Sequence, residues 1–121
     1  MKTFIFFFLF LLTQPNYSNA QYTCDELVDA VKKSLNPSDK FATNSSSLIY
    51  KAELYDYEGI YIVIADFKRE RSIYEIIESY DTYIFCGVPL GNWNRFKTEG
   101  FYGSYGEAFL EYIMDFKCNC K

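Results

Sequence analysis

The chain has 121 residues, 12 Lys and Arg against 16 Asp and Glu, no histidine, and aromatic side chains at 21 % of its positions. That length allows one domain. The net charge of −4 argues against nucleic acid, whose binding rests on Lys and Arg paired to phosphate, and the missing histidine removes Ser–His and Cys–His catalysis. The 12 Tyr and 12 Phe bury much area per residue, so a short chain can still build a core.

Residues 1–20 read as a signal peptide. Lys2 supplies the positive start, residues 4–12 an unbroken apolar run, and Ser18-Asn19-Ala20 the small residues of a cleavage site. The rival reading, a transmembrane anchor, needs ~20 apolar residues, about twice this run. Lipid attachment at Cys24 is disfavoured, because Gln21-Tyr22-Thr23 is not the small, apolar context it needs. Cleavage near Ala20 removes Lys2 and no acid, which takes the formal charge from −4 to −5. The expected product is secreted or periplasmic, with no stable membrane anchor left.

All four cysteines, Cys24, Cys86, Cys118 and Cys120, lie in the exported part. An even count in an oxidising compartment implies a disulfide framework. Cys118 and Cys120 are separated by one residue, so joining them would close a strained, tiny ring. Each is expected to pair with one of Cys24 and Cys86. A Cys86–Cys118 bridge would contribute roughly 3–4 kcal/mol in the chain-entropy model, and a Cys24–Cys120 bridge a little over ~4, both as ceilings. The weaker alternative is a Cys-x-Cys metal site, which would have no histidine to complete it. No metal and no other cofactor is expected.

In chain order, residues 24–35 predict a helix. Leu27, Val31 and Leu35 with Val28 and Ala30 line one side, Thr23 stands at the N-cap, and Asn36-Pro37 stops it. Acids fill its first turn and lysines its last, which suits the helix dipole. Residues 38–47 read as a polar loop. Within it Asn44-Ser45-Ser46 matches a glycosylation acceptor, with an ordinary polar loop the favoured reading. Residues 48–55 predict a strand with Leu48, Tyr50, Ala52 and Leu54 on one face. A turn at residues 56–59 uses Gly59, and residues 60–67 form an apolar central strand. Residues 68–71 read as a charged hairpin tip. Residues 72–79 fit either strand or helix, with strand favoured. Tyr80-Asp81 predicts a turn and residues 83–86 a short strand. A helix from Leu90 to about Thr98 carries Leu90, Trp93 and Phe96, and residues 99–103 form a loop. Ser104 and Glu107 then open a helix by the capping-box pattern, with Phe109, Tyr112, Ile113 and Phe116 as its stripe.

This order implies an α+β fold: an N-terminal helix, an antiparallel β-meander of three to four strands, and two C-terminal helices packed on one sheet face, stapled by disulfides. Residues 1–20 form the signal peptide, 21–44 the N-terminal helix and loop, and 45–121 the α+β domain.

The domain resembles the KTSC domain, a short module found at the C-terminus of some lysyl-tRNA synthetases and alone in bacterial proteins. The resemblance runs from about Ser45 to Cys118. It is carried by Ser45-Ser46-Ser47-Leu48-Ile49, by Tyr83-Ile84-Phe85 in place of the family's Tyr-x-Tyr, by Gly87-Val88-Pro89, by Trp93 and Phe96, and by Gly103-Ser104-Tyr105-Gly106 followed by Phe109 and Ile113. The signal ending in Asn-Ala-Gln and the Asp-Phe-Lys-Cys-Asn-Cys tail are similar to those of small exported proteins of Bacteroidota. The resemblance implies strands packed by C-terminal helices and no established activity. RNA binding has been suggested for the family, and this chain departs from it by being acidic and exported. It also carries roughly ten extra residues around 72–81.

Few residues carry chemistry. No P-loop, histidine-based zinc motif or Gly-x-Ser-x-Gly elbow is present. A two-carboxylate hydrolase of envelope polysaccharide remains as an alternative, although Asp25, Glu26, Asp29, Glu107, Glu111 and Asp115 stand where helix caps and solvated faces want acids. Asp66 is the acid inside an apolar strand, expected at the strand end beside Lys68 or Arg69. Tyr55, Tyr57 and Tyr61 form the candidate binding surface, an aromatic platform for a sugar or peptide, against the commoner role of cross-strand packing. Trp93 and Phe96 are expected as core anchors. The leading expectation is a non-enzymatic exported domain that binds a protein or a cell-envelope component. A periplasmic immunity or inhibitor protein is the third reading.

Overall fold

The computed structural model describes residues 22–44, 46, 48–69 and 80–120. In chain order these form α1 (Cys24–Ser34), β1 (Asp39–Ala42), β2 (Ile49–Tyr57), β3 (Ile60–Lys68), β4 (Tyr80–Cys86), α2 (Leu90–Tyr102), α3 (Tyr105–Tyr112) and a 3-10 turn (Met114–Phe116). The sheet order is β1-β2-β3-β4 and each neighbouring pair is antiparallel. This is the expected α+β meander with a helix before it and two after it.

Local sequence explains several of the boundaries. The Thr23 hydroxyl accepts from the Glu26 amide, and the Glu26 carboxylate accepts from the Thr23 amide. This reciprocal cap satisfies two of the donors that a helix start leaves orphaned. The β2–β3 hairpin closes on two residues, Glu58 and Gly59, at φ 50° and 89°, with Tyr57 paired to Ile60. Positive φ at both positions is the type I′ geometry that matches the twist of the flanking strands. Asp56 Oδ1 accepts from the Gly59 amide at 2.8 Å.

Four local expectations need correction. Residues 39–42, read as loop, are a strand whose residues pair with Leu54 to Lys51 of β2. Long-range contacts decide it: Phe41 packs edge-on to Phe96 at 5.1 Å and against Tyr105 at 4.5 Å. In β2 the register shifts between Ile49 and Lys51. That bulge breaks the period-2 alternation, so Ile49, not Leu48, joins Ala52 and Leu54 in the core, and Tyr50 stacks on Tyr80 instead. Tyr80 and Asp81 are not a turn; they extend β4 opposite Lys68 and Phe67. Finally, α2 runs on through Glu99 and Gly100 to Tyr102. Residues 72–79, ambiguous between strand and helix, lie outside the described residues.

The sheet separates two apolar clusters. On one face α2 and α3 cover Ile49, Ala52, Leu54, Val63, Ala65 and Phe85 with Trp93, Phe96, Ala108 and Phe109, and Ile113 follows directly from α3. On the other face Leu27, Val28 and Val31 of α1 cover Tyr55, Ile62, Ile64 and Ile84. The segment from residue 22 to 44 thus supplies an edge strand and a helix to the same fold as the rest of the chain.

Two disulfides tie the tail to this frame. Cys24 at the start of α1 joins Cys120 with Cα atoms 5.1 Å apart, and Cys86 at the end of β4 joins Cys118 at 4.9 Å. The tail also pairs with the outer edge of β4, through a Phe85–Lys117 bridge and a Cys118 amide donating to the Ile84 carbonyl at 3.2 Å. It covers part of an edge that would otherwise present unpaired backbone groups. Two disulfides are the chemistry of an oxidising compartment outside the cytoplasm.

Candidate functional site

The corner between α2 and α3 is built by close approaches. A Cβ on Gly100 would collide with the Tyr105 ring, reaching Cε1 at 2.8 Å. Glycine there lets the ring lie directly against α2. One helix ends at Tyr102 and the next begins at Tyr105, so the chain turns through Gly103 and Ser104. The Ser104 hydroxyl caps α3 by accepting from the Glu107 amide at 3.2 Å. Across from it, the Ser46 hydroxyl accepts from the Leu48 and Ile49 amides, both at 3.1 Å. Lys68 Nζ donates to the Ser46 carbonyl at 2.6 Å and to the Asn44 carbonyl at 3.5 Å, which pins that loop. Gly106 lets the two segments meet, since a Cβ there would stand 3.3 Å from Leu48 Cβ and 3.7 Å from Ser46 Oγ.

The result is a cavity of about 290 Å³ lined by Ser46, Gly100, Phe101, Gly103, Ser104, Tyr105 and Gly106. Among the described residues no acid, lysine or arginine lines it. At its rim Phe101 is 72 % and Tyr102 83 % exposed, and their rings meet edge to face at 5.1 Å. Leu110 of α3, 51 % exposed, adds to the apolar surface of these two helices. Sequence reasoning missed Phe101 and Tyr102 because residues 99–103 read as loop. The available signal was the stripe Trp93, Phe96 and Gly100: once α2 is extended to residue 102, its buried side is taken and Phe101-Tyr102 points elsewhere.

The tyrosines expected to form a platform are placed apart. Tyr55 is 2 % exposed under α1, and its hydroxyl donates to Glu53. Burial first, and the Glu53 charge and hydrogen bond after it, push that phenol far above its ordinary pKa. Tyr57 follows Tyr55 on the α1 side and is half-buried. Tyr61 packs against the cluster on the opposite face. No single surface unites the three.

The cysteines expected as staples form the two bridges described above, and no described cysteine is free. Trp93 and Phe96 are fully buried anchors, as expected. The Trp93 indole donates to Asp39 Oδ2 at 2.9 Å, and Lys97 pairs with the same oxygen. Burial works to raise the Asp39 carboxyl, but the Lys97 and Trp93 hydrogen bonds, the Lys40 amide and the Lys97 charge outweigh it and hold it below the ordinary value. Asp66 does not pair with Lys68 or Arg69. It accepts from the Thr82 hydroxyl at 2.6 Å and sits 3.7 Å from Lys51 Nζ. The sheet register explains this, since Lys51 and Thr82 are its partners on β2 and β4. Arg69 instead pairs with Asp81 and, chiefly through that hydrogen bond, holds its carboxyl low. Glu99 accepts from the Tyr112 hydroxyl at 2.6 Å.

These acids are committed to structural partners. Among the described residues no group of three or more Cys, Asp or Glu is placed to hold a metal ion. No helix among them is long and apolar enough to cross a membrane. The arrangement at the corner offers hydroxyls, peptide edges and aromatic rings. Comparison with models of known protein families gives no match, and neither the curated proteins nor the solved structures include a match to this chain.

Proposed function

We propose that this protein is an exported, non-enzymatic module that binds a cell-envelope component at the α2–α3 corner. The observation that carries this reading is the exposed Phe101–Tyr102 pair beside a cavity whose described lining holds no carboxylate. Large rings held in water cost free energy unless a ligand covers them. Export fits the two disulfides together with the positive start, apolar run and small-residue site of residues 1–20, with cleavage near Ala20. The likeness to the KTSC module supports the same place in the fold. Two of the segments that carry it, around Ser46 and from Gly103 to Gly106, line the cavity. A cavity of this volume suits a small group better than a protein surface, which favours an envelope component over a protein partner.

The test is retention of material from an envelope extract by immobilised wild-type protein and by a Phe101→Ala/Tyr102→Ala double variant. Both side chains are exposed, so the variant should melt with the wild type. Retention is expected to fall at least about fivefold, as for loss of aromatic anchors. Equal retention by the variant would remove the corner from the account. Release of sugar fragments from envelope polysaccharide by the purified protein would replace binding with carboxylate-dependent hydrolysis.

A further inference from the structure

Resting on that reading, we infer that the α2–α3 cavity takes a neutral sugar ring, stacked on Phe101 and hydrogen-bonded by Ser46 and Ser104. Charge selects the ligand class first. With no Lys, Arg, Asp or Glu among the described residues of the lining, a phosphate, sulfate or uronate would lose its water without gaining the charged partners that such groups need. An ammonium group would fare no better.

The hydroxyls select next. Ser46 Oγ already accepts two amides and Ser104 Oγ accepts one. Among the described residues neither hydroxyl hydrogen meets an acceptor, so both remain available as donors. They suit a ligand that offers several hydroxyl or ether oxygens. Gly103, which is exposed, adds a peptide edge with no side chain of its own beside them.

Size and the aromatic rim complete the case. A volume of about 290 Å³ lies at the small end of ligand sites, which run from about 300 to 1,000 Å³. It admits one ring rather than a length of chain. Sugar rings carry a face of C–H bonds, and an aromatic ring with a negative π-face attracts such slightly positive hydrogens. Phe101 lines the cavity, is mostly exposed, and is buttressed edge-on by Tyr102. A glycan chain could leave the cavity along this rim.

The test is titration of the oxidised protein, followed through its backbone amides, with glucose, mannose, galactose and N-acetylglucosamine. Glucuronate and inorganic phosphate serve as the charged comparison. At least one neutral sugar is expected to shift the Ser46, Gly103, Ser104 and Gly106 amides saturably, with Kd on the order of 1 mM. The α1 amides should stay in place. Phe101→Ala should weaken binding about fivefold or more, and moderate salt should leave it unchanged because no charge pairs form. Ser104→Thr, which keeps the cap and the hydroxyl, should retain binding. The inference is overturned if none of the four sugars saturates these amides, if Phe101→Ala binds as well as wild type, or if only glucuronate or phosphate binds. Should envelope material still be retained through Phe101 and Tyr102 while the sugars fail, the sugar assignment falls and the corner stands. Failure of both removes the corner itself.

Discussion

The two faces of the sheet are held by different means. Under α2 and α3 lies a net of rings: Phe109 meets Phe67, Phe85 and Phe96 at 5.2 to 5.4 Å, all edge to face, and Trp93 packs on Phe96 at 5.5 Å. Under α1 the cluster is mostly aliphatic, and the helix contributes only Leu27, Val28 and Val31 as buried side chains. Three such residues do not offset the conformational entropy of ordering an 11-residue helix. Both disulfides adjoin this thinner side, where Cys24, Cys118 and Cys120 pack against the aliphatic cluster. Covalent staples stand where apolar burial is weak, and the aromatic side carries none.

The largest break in this comparison comes from the aromatic side. Phe109→Ala should cost about 3–5 kcal/mol, the range for emptying a phenylalanine site in a close-packed core. That is much of the stability of a domain this small, so the whole fold should go with it. Urea titration followed by far-UV circular dichroism checks this. A loss below about 1 kcal/mol, well short of that range, would mean the ring net is not what holds the sheet to its helices.

Next in size is the staple on α1. Opening the Cys24–Cys120 bridge with a Cys24→Ala/Cys120→Ala double variant removes a constraint across 96 residues of separation. The ceiling is a little over ~4 kcal/mol and the realised loss smaller, because strain and residual structure subtract from it. The loss should be uneven. Hydrogen exchange at Leu27, Val28 and Val31 should accelerate strongly, as a locally opening unit does, while amides beside Trp93 and Phe109 keep most of their protection. Equal acceleration on both sides would show that the faces unfold as one and that the bridge does not hold α1 in particular.

The aromatic side was partly legible in the sequence, and α1 almost wholly. Thr23, Glu26 and the Leu27/Val31 spacing specify their helix within a dozen residues, and the structure follows them. The disulfide framework was legible, but its partition was not. Cys118 and Cys120 lie two positions apart, and only the pairing of Lys117 with Phe85 places Cys118 beside Cys86. β1 was hidden because what makes it a strand lies far along the chain: Trp93 donates to Asp39 across 54 positions. The bulge at Ile49/Lys51 hid in the same way, since nothing local distinguishes a strand that slips its alternation. The corner cavity was illegible for a further reason. It joins Ser46 to a glycine turn at Gly103 far along the chain, and Gly100 and Gly106 reveal their use only when Tyr105 and Leu48 are seen lying against them.

The smallest expected effect has the opposite sign and sharpens the comparison. Glu58 holds φ at 50° in the β2–β3 turn, a region that disfavours a residue with an ordinary side chain and favours Asn at the first position of a type I′ turn. Glu58→Asn should therefore stabilise the protein, by about 1 kcal/mol or less. The urea midpoint should rise while the slope stays fixed, because the surface exposed on unfolding is unchanged. This turn joins the two strands that face both clusters, so the gain belongs to the sheet as a whole. Amides that exchange only by global unfolding, beside Trp93 and Phe109, should slow. Those of α1 in the bridge-opened variant should not, because they exchange through a local opening that leaves the turn intact. If Glu58→Asn slows both sets alike, α1 opens only when the sheet does, and the staple is not compensating for a thin interface.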